Sequence, residues 1–327
     1  MSENRFGNKV FVIDKAPGPT SFDVVAALRR VSGLRRVGHA GTLDPLARGV
    51  LLVCTGTATR AVEHFMNLEK EYRFDVRLGV ETTTLDQEGE VVRAADVPPI
   101  ALETLREVGA TFVGDYLMTP PAYSALKRGG KRFSDLARAG EAAEAQPRTV
   151  RIYGFDVVGY DAPIVRCVVR CSRGTYVRSL AKDLGAKLGL PASIAALERS
   201  RIGEFRIEDA VPSEALTAER ADEVAGLELG EALSFLPGVV VSTRAKRALL
   251  FGASPLRTDV VETQGAPTIG AMVGPLRIVD EDGTLLAIGT RGGDHPRDPL
   301  RVCDSFRLYV DANSGSAATA GAARTAR

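Results

Sequence analysis

The sequence predicts an α+β fold in which antiparallel strands combine with amphipathic helices, followed by a small β-rich domain. Alternating apolar residues at 72–78 are typical of a strand with one buried face. A hairpin is predicted from residues 149–160 and 164–172, and short β-type runs separated by turns begin after Pro237. Together these three observations predict antiparallel neighbours in a sheet, with helices between its strands.

The N-terminal part is predicted to contain a strand, a capped helix and a second strand. Residues 10–14 form a buried strand that the following Pro-Gly-Pro run ends. Thr20 or Ser21 can cap a helix whose apolar face has the i, i+4, i+7 spacing, and Gly33 ends that helix. Residues 50–54 form a second buried strand, which anchors the loop before it.

The remaining elements follow from the same periodicities. A basic excursion from the sheet is predicted between Pro120 and Pro147, with a short helix at 134–139. The C-terminal strands include a hairpin that turns at Asp282-Gly283 and an alternating run at 306–310. The other predictions are a short helix at 58–65, a strand at 89–92, helices at 101–108 and 178–188, a strand at 193–199, and an acidic helical region up to Leu233.

The composition is that of a globular protein, since 45% of its 327 residues are hydrophobic and 25% are charged. That length can bury a full core and is sufficient for two domains. No apolar run approaches the roughly 20 residues of a membrane-spanning helix, and the N-terminal residues lack the apolar core of a signal peptide. We therefore expect a cytoplasmic protein without membrane association.

Cysteines and histidines do not form a metal-binding pattern. No Cys-x-x-Cys pair occurs, and Cys167 and Cys171 alternate with valines on one side of a predicted strand. The three histidines, His39, His64 and His295, are widely separated. We expect the cysteines to be reduced core residues, and we expect no metal cluster.

The net charge is only +1, but charged residues are segregated along the chain. Basic residues concentrate at 127–151 and 166–187, whereas acidic residues concentrate at 208–231. Such segregation can present a basic face to phosphates, although these could equally be solvated faces of helices and hairpins. The candidates for phosphate contacts in the first of these segments are Lys127, Arg128, Lys131 and Arg132.

The stretch from Gly38 to Gly49 fits neither a helix nor a strand pattern, and it carries Asp44 between glycines. Glycines permit tight turns, and Pro45 restricts Asp44 towards an extended conformation. A carboxylate on a constrained loop can be catalytic, or it can be only a turn or cap residue. The sequence has no P-loop, Gly-x-Gly-x-x-Gly, Gly-x-Ser-x-Gly or His-Glu-x-x-His motif, which argues against the enzyme classes that use them.

The same stretch, Gly-His-Ala-Gly-Thr-Leu-Asp-Pro-Leu-Ala-Arg-Gly, is similar to the signature loop of the bacterial tRNA pseudouridine synthase B family, in which the Asp is catalytic. Ala16 replaces the proline that usually follows Lys15, and Glu198 and Ser200 depart from the family pattern after Leu197. The further segments that resemble the family, in chain order, are 14–21, 70–72, 121–127, 171–178 and Leu197.

The resemblance covers roughly residues 8–310 and implies a pseudouridine-synthase-type fold, a mixed and largely antiparallel sheet flanked by helices. It implies a catalytic domain at 1–236, with an RNA-binding arm at about 120–150, and a PUA-like RNA-binding domain at 237–311. Residues 312–327 are rich in small residues, and we expect them to be a disordered tail.

The resemblance also implies that the protein isomerises the T-loop uridine of tRNA, position 55, to pseudouridine without a metal or cofactor. Its partner would be the T-arm stem-loop of tRNA. We expect a monomer that needs no obligate protein partner.

The family motifs imply a role for each matching residue. Asp44 would be the nucleophile, Arg178 its counter-charge, and Tyr176 either a base for the C5 proton or a packing wall. The substrate-binding residues would be Tyr72, which stacks on the base; His39, which fills the space left by the flipped nucleotide; Lys15, which positions the loop or contacts a phosphate; and Leu197, which closes the pocket. Taken by themselves, Tyr72 could be a core aromatic and Arg178 a surface residue at a helix start.

Three other functions remain open from the sequence. A nucleosidase or base glycosylase would use the same carboxylate but release free uracil. A non-catalytic RNA-binding or tRNA-folding module would use the same basic arm. A guide-RNA-dependent relative of the archaeal and eukaryotic kind would work with protein partners, although the short β domain and long arm resemble the stand-alone bacterial form better.

Overall fold

The computed structural model describes residues 5–124, 127–129, 131–133, 145–292 and 300–302. The chain forms two compact units, Met1–Leu227 and Glu228–Arg327. The predicted domain boundary after residue 236 stays a prediction. No helix within the described ranges is sufficiently long and apolar to span a membrane.

The first unit combines short helices with a large sheet. Its described α-helices are α1 (Ser21–Ser32), α2 (Val62–Met66), α3 (Leu102–Ala110) and α4 (Val177–Lys187). Its described strands are β1 (Lys9–Lys15), β2 (Val37–His39), β3 (Arg48–Thr55), β4 (Lys70–Leu78), β5 (Val80–Thr82), β6 (Val91–Ala94), β7 (Gly114–Met118), β8 (Lys127–Arg128), β9 (Lys131–Arg132), β10 (Arg148–Asp161), β11 (Ile164–Cys171), β12 (Ala192–Ile202), β13 (Phe205–Arg206) and β14 (Val211–Pro212), with β15 (Leu227–Glu228) at the division between the units.

The central sheet has the strand order β14-β1-β3-β12-β4-β11-β10-β7. The β14–β1 and β3–β12 pairs are parallel, and the other pairs along this order are antiparallel. Apolar residues of α3 and α4 share one buried cluster with β4, β10, β11 and β12. The predicted fold class, a mixed and largely antiparallel sheet flanked by helices, is therefore confirmed.

Strand β4 has the predicted alternation. Its apolar residues from Tyr72 to Leu78 are buried, and the residues between them are more exposed. The strand pairs with β11 on one side and β12 on the other, in a register that places Tyr72 opposite Val169 and Arg199. The predicted hairpin is the β10–β11 pair, and the two cysteines of β11 lie on its buried side.

The pairing of β1 with β3 fixes both sides of the loop that carries Asp44. Lys15, at the end of β1, lies opposite Gly49 in β3. Helix α1 follows β1 and begins after Thr20, whose side chain accepts a hydrogen bond from the backbone of Asp23 in a capping box. It ends at Gly33, as predicted, and this glycine has a left-handed conformation.

The prediction of an acidic helical region up to Leu233 is wrong. Residues 207–228 contain 3-10 turns and two-residue strands. Between residues 207 and 233 the only α-helical turn is α5 (Leu229–Ala232). Ala215, Leu216 and Val224 instead pack separately into the cluster formed by α1, β1 and β3. Tertiary burial therefore outweighs the helix propensity of this segment.

The second unit is a small β-rich domain. Its described elements are β16 (Gly238–Val241), α6 (Thr243–Leu250), β17 (Val260–Gln264), β18 (Pro275–Val279), β19 (Leu285–Thr290) and β20 (Arg301–Val302). The strand order is β17-β16-β18-β19-β20. The β18–β19 hairpin around Asp282-Gly283 is confirmed, whereas α6 and β17 were not predicted. The predicted strand at 306–310, the arm helix at 134–139 and the tail lie outside the described residues.

Candidate active site

Asp44 lies on the loop between β2 and β3, at one end of the central sheet. Ser21, the first residue of α1, holds this loop, because its Oγ donates to the Leu43 carbonyl (3.0 Å) and accepts from the Leu43 amide (2.8 Å). The Ala47 amide donates to the Asp44 carbonyl at 3.1 Å and closes a tight turn. The Asp44 side chain remains 30% exposed, so its carboxylate is accessible to a substrate.

Arg178, near the start of α4, forms a bidentate ion pair with Asp44. Its Nε donates to Oδ2 at 2.8 Å, and its Nη2 donates to Oδ1 at 3.0 Å. The Arg178 side chain is only 6% exposed, so little water competes for the guanidinium. Bidentate pairs of this kind are strong and fix the orientation of the carboxylate. The structure thus brings together the two residues predicted to be nucleophile and counter-charge.

The guanidinium of Arg178 has further partners on two other segments. It donates to the Thr84 and Tyr123 carbonyls, each at 2.9 Å, and lies 3.7 Å from the buried carboxylate of Asp86. Between Thr84 and Asp86, Leu85 has a φ of 62°, a left-handed conformation that is strained for a branched side chain. The sequence prediction missed Asp86, and its only signal was a turn rich in threonine and aspartate after β4.

Lys15 is fully buried beneath the Asp44 loop. Its Nζ donates to the carbonyls of Ala16 (2.9 Å), Pro19 (2.8 Å) and Pro45 (3.1 Å). Burial lowers the pKa of the Lys15 ammonium to about 8, and the negative charge of Asp44 acts in the opposite direction. Of the two predicted roles, this geometry supports loop positioning, because the buried ammonium offers no surface to a phosphate.

Arg199 holds the other side of the loop and was not predicted as a site residue. The side chain is buried, and its Nη1 and Nη2 donate to the carbonyls of Thr42 (3.3 Å) and Gly41 (3.2 Å). Its Nε donates to the Val50 carbonyl at 2.8 Å. An arginine two residues after Leu197 in a strand was the only signal in the sequence. Lys15 and Arg199 therefore clamp the Asp44 loop from both sides.

A cavity of about 300 Å³ opens beside the Asp44 carboxylate. Tyr72, Tyr176 and Leu197, three residues predicted to face the substrate, line its wall. Tyr72 and Leu197 are largely buried, and burial raises the pKa of the Tyr72 phenol. The cavity is at the small end of the range for ligand pockets. It can therefore admit a single small ring between aromatic and aliphatic walls.

The same cavity has a strongly basic wall, formed by Lys70, Arg148, Arg173 and Arg199. Lys70 donates to the Leu68 carbonyl at 2.6 Å, and Arg199 is bound by carbonyls as described above. Neither contact neutralises the positive charge. A wall of this kind favours the binding of a polyanion.

His39 lies outside the cavity wall, in β2 opposite Val53. Burial, assisted by the charge of Arg199, lowers the pKa of the His39 imidazole. Its Nδ1 is buried and has no partner among the described residues. No hydrogen bond joins His39 to Asp44 among the described residues, and the predicted role of His39 in filling the space of a flipped nucleotide stays a prediction.

The four predicted arm residues lie on β8 and β9, which pair antiparallel with Lys127 opposite Arg132 and Arg128 opposite Lys131. Their side chains lie outside the described part of the chain. Their predicted contacts with phosphates stay a prediction.

Comparison with known proteins agrees with this geometry. The family model "TruB family pseudouridylate synthase (N terminal domain)" matches residues 29–177. A protein from Syntrophotalea carbinolica named tRNA pseudouridine synthase B is 36% identical, over 94% of this chain and 99% of its own length. The chain belongs to the TruB family. A second TruB protein, from Geotalea uraniireducens, is 39% identical over 86% of this chain and 91% of its own length.

Two of the solved structures that this TruB chain resembles are complexes that contain Cbf5. The chain resembles one in a "Cbf5-Nop10-Gar1 complex" with a TM-score of 0.71 and 26% identity, covering 93% of this chain and 88% of that one. It also resembles one in an "archaeal box H/ACA sRNP Nop10-Cbf5 complex", with a TM-score of 0.70 and 25% identity over 94% and 88% of the two chains. Both agree with the pseudouridine synthase fold predicted from the motifs.

Proposed function

We propose that this chain isomerises the T-loop uridine of tRNA, position 55, to pseudouridine, with Asp44 as the nucleophile. Membership of the TruB family makes the chain an isomerase that converts uridine to pseudouridine in tRNA. The single observation that carries the assignment of Asp44 is its bidentate pair with the buried Arg178 at the edge of a cavity of nucleobase size.

The reaction breaks the bond between ribose C1′ and uracil N1, turns the base, and forms a bond from C1′ to C5. A carboxylate suits this reaction because it can add to uracil C6 or to C1′ and later leave. Arg178 holds both oxygens of Asp44 before substrate binds, so little reorganisation is needed when the carboxylate attacks. Both routes are compatible with the site.

The target base must leave the RNA stack, which costs a few kcal/mol. Stacking on an aromatic ring returns about 1–3 kcal/mol per base, and Tyr72 supplies a buried ring in the cavity wall. Leu197 closes the same wall, and this excludes water that would otherwise attack ribose C1′ and release the base as free uracil. Tyr176 stays the proposed base for the C5 proton, with a packing wall as the alternative.

The clamp on the Asp44 loop supports catalysis by a preorganised carboxylate. Lys15 and Arg199 bind six carbonyls between them, on the segment after β1, on the Asp44 loop and at the start of β3, and both side chains are buried. Holding a catalytic group in the reactive orientation can account for a large part of an enzyme's rate enhancement. We therefore assign Lys15 and Arg199 to positioning, and not to direct contact with RNA.

We also propose that the protein acts as a cytoplasmic monomer without a guide RNA or obligate partner. The TruB relatives are 36–42% identical, whereas the chains in Cbf5 complexes are 25–26% identical. Two of the TruB relatives also match along 96–99% of their own length. This difference favours the stand-alone form over the partner-dependent one.

The experiment that tests the function uses unmodified tRNA and compares the wild type with Asp44→Asn. We expect the wild type to release tritium from C5 of labelled uridine. Carbodiimide mapping of the product should locate pseudouridine in the T loop. The Asp44→Asn protein should bind tRNA with similar affinity and form no pseudouridine.

The rival functions have different outcomes in the same assay. Free uracil in the wild-type reaction would identify a glycosylase, and the same activity in Asp44→Asn would show that the carboxylate is not the nucleophile. Pseudouridine elsewhere in tRNA would leave the enzyme class intact and contradict the T-loop assignment.

A further inference from the structure

The thioether of Met118 accepts a hydrogen bond from the backbone of Tyr176. Met118 is the last residue of β7 and is fully buried, and its Sδ lies 3.1 Å from the Tyr176 amide nitrogen. A thioether is only a weak acceptor, whereas a backbone amide normally pairs with oxygen. This contact joins a core side chain to the turn that carries two residues of the site, Tyr176 and Arg178.

The Tyr176 amide needs a partner outside its own helix. Tyr176 is the N-cap of α4 and has an extended conformation, and its side chain makes no capping hydrogen bond. The first amides of a helix have no acceptor within that helix, so a side chain or water must supply one. In a capping box, a Glu or Gln side chain at the third helical position returns to this amide, but that position here is Ser179. The Met118 sulfur therefore takes the place of that acceptor.

A second hydrogen bond connects the same two segments of the chain. The Ser179 hydroxyl donates to the carbonyl of Thr119, the residue after Met118, at 2.7 Å. Arg178 lies between the two bonded positions, and its guanidinium binds both oxygens of Asp44. The end of β7 therefore holds the first turn of α4 on either side of the arginine that orients the nucleophile.

We propose that Met118 is a positioning residue whose thioether, through the Tyr176 amide, fixes the Tyr176 ring and the Arg178 guanidinium relative to Asp44. The inference rests on the proposed function, because the position of these groups matters only if they carry the isomerisation. Met118 is not part of the cavity wall, which Tyr176 and Asp44 line. It therefore acts through the backbone of the turn and not by contact with the base.

The alternative role for Met118 is packing alone. Its side chain belongs to the buried cluster that α3 and α4 share with the central strands, where an apolar side chain of similar volume would serve equally well. A hydrogen bond to the amide, in contrast, needs an acceptor near the position of the sulfur. Leucine preserves the volume but has no acceptor. Glutamine has a similar length and a carbonyl oxygen, but it buries a polar group. These two substitutions therefore separate the two roles.

The test compares Met118→Leu with Met118→Gln by the single-turnover rate of tritium release at saturating enzyme, the Kd for tRNA and unfolding in urea. We expect Met118→Leu to unfold near the wild-type urea concentration and to lower the rate by about fivefold, because the turn loses its acceptor. Met118→Gln should be less stable and yet react faster than Met118→Leu. The Kd should stay near the wild-type value in both variants, because the side chain at this position is buried.

Met272→Leu is the matched control, since Met272 is also buried but belongs to the hydrophobic cluster of the second unit. We expect it to react at the wild-type rate. Equal rates for Met118→Leu and Met272→Leu would overturn the inference, and this comparison decides the matter if Met118→Gln does not fold. A folded Met118→Gln protein that is no faster than Met118→Leu would also overturn it, because packing alone predicts that order. A wild type that forms no pseudouridine would overturn the proposed function itself, and this inference with it, whereas the other outcomes leave that function intact.

Discussion

Asp44 and Arg178 are 134 residues apart in the chain, yet their side chains form two hydrogen bonds of normal length. The pair is asymmetric, because the guanidinium is buried and the carboxylate is partly exposed. A buried cation without its carboxylate is costly, so each residue holds the other in place. The carboxylate can therefore face a substrate without losing its orientation.

Replacing Arg178 by lysine tests this orientation. We expect Arg178→Lys to retain a positive charge but lose the bidentate contact, and to lower the single-turnover rate on the order of 10²-fold. The Kd for tRNA should change little, because Arg178 faces Asp44 and the interior. A rate close to that of the wild type would show that charge is sufficient and geometry is not needed.

Lys15 gives the site a pH dependence. Its pKa of about 8 lies below the usual range of lysine because burial disfavours the charged form. As the pH rises through 8, the neutral amine has two hydrogens for three carbonyls, so the Asp44 loop loses a contact. We expect the single-turnover rate to fall above pH 8, measured on tRNA in a buffer series.

We expect that a loss of folding stability does not cause this fall of the single-turnover rate above pH 8. Above pH 8 the unfolded state keeps its proton on Lys15 longer than the folded state does, so this residue's contribution to stability rises with pH. The Lys15→Met protein should have a lower single-turnover rate, and this rate should not fall above pH 8. Lys70 is the control, because burial lowers its pKa to about 8 as well, and Lys70→Met should keep the fall. A fall that disappears in Lys70→Met and remains in Lys15→Met would contradict the assignment.

At the scale of elements, the parallel contact between β3 and β12 decides where the Asp44 loop ends. Gly49 lies opposite Arg199 in this pairing and has a φ of 119°. A Cβ on Gly49 would lie 2.3 Å from the Arg199 carbonyl oxygen, which is far inside contact distance. Only glycine permits the two strands to approach while Arg199 reaches back to the loop.

Gly49→Ala should therefore be much more harmful than an alanine at another left-handed glycine. We expect it to lower the free energy of unfolding by about 3 kcal/mol or more, measured by urea denaturation followed by circular dichroism. The control is Gly33→Ala at the end of α1, where φ is 68° and no atom lies within 4 Å of the new Cβ. Only backbone strain of about 1 kcal/mol applies there. Equal costs at the two positions would mean that strain, and not the close approach to β12, sets the requirement for Gly49.

At the scale of the molecule, positive and negative charges nearly cancel, but basic residues are concentrated at particular places. The net charge is +1, and yet the arm strands β8 and β9 consist of four basic residues. The cavity wall adds four more basic side chains close to Asp44. A nearly neutral protein can therefore have a local potential sufficient to bind RNA.

Neutralising the arm should change the salt dependence of binding in a predictable way. We expect replacement of Lys127, Arg128, Lys131 and Arg132 by glutamine to reduce the slope of log Kd against log salt by about 3, if each contacts one phosphate. Filter binding of tRNA from low to high salt measures the slope. Asp44→Asn should keep the wild-type slope, and an unchanged slope in the arm variant would remove the arm from the phosphate contacts.

The sequence by itself determined the family, the buried face of β4 and the caps of α1, because these depend on residues that are neighbours in the chain. It also predicted that Asp44 and Arg178 meet, through motifs and not through geometry. It misjudged the acidic segment, where scattered apolar residues pack into a distant cluster and override local helix propensity.

Only the tertiary structure showed the contacts of Asp86 and Arg199, and the loop-positioning geometry of Lys15. Each of these side chains contacts carbonyls or charges on segments far along the chain, and those contacts depend on strand register and burial. The identity of a basic residue in the sequence does not show whether its side chain faces a phosphate or holds a loop in place. The desolvation that separates these two uses arises only when the chain is folded.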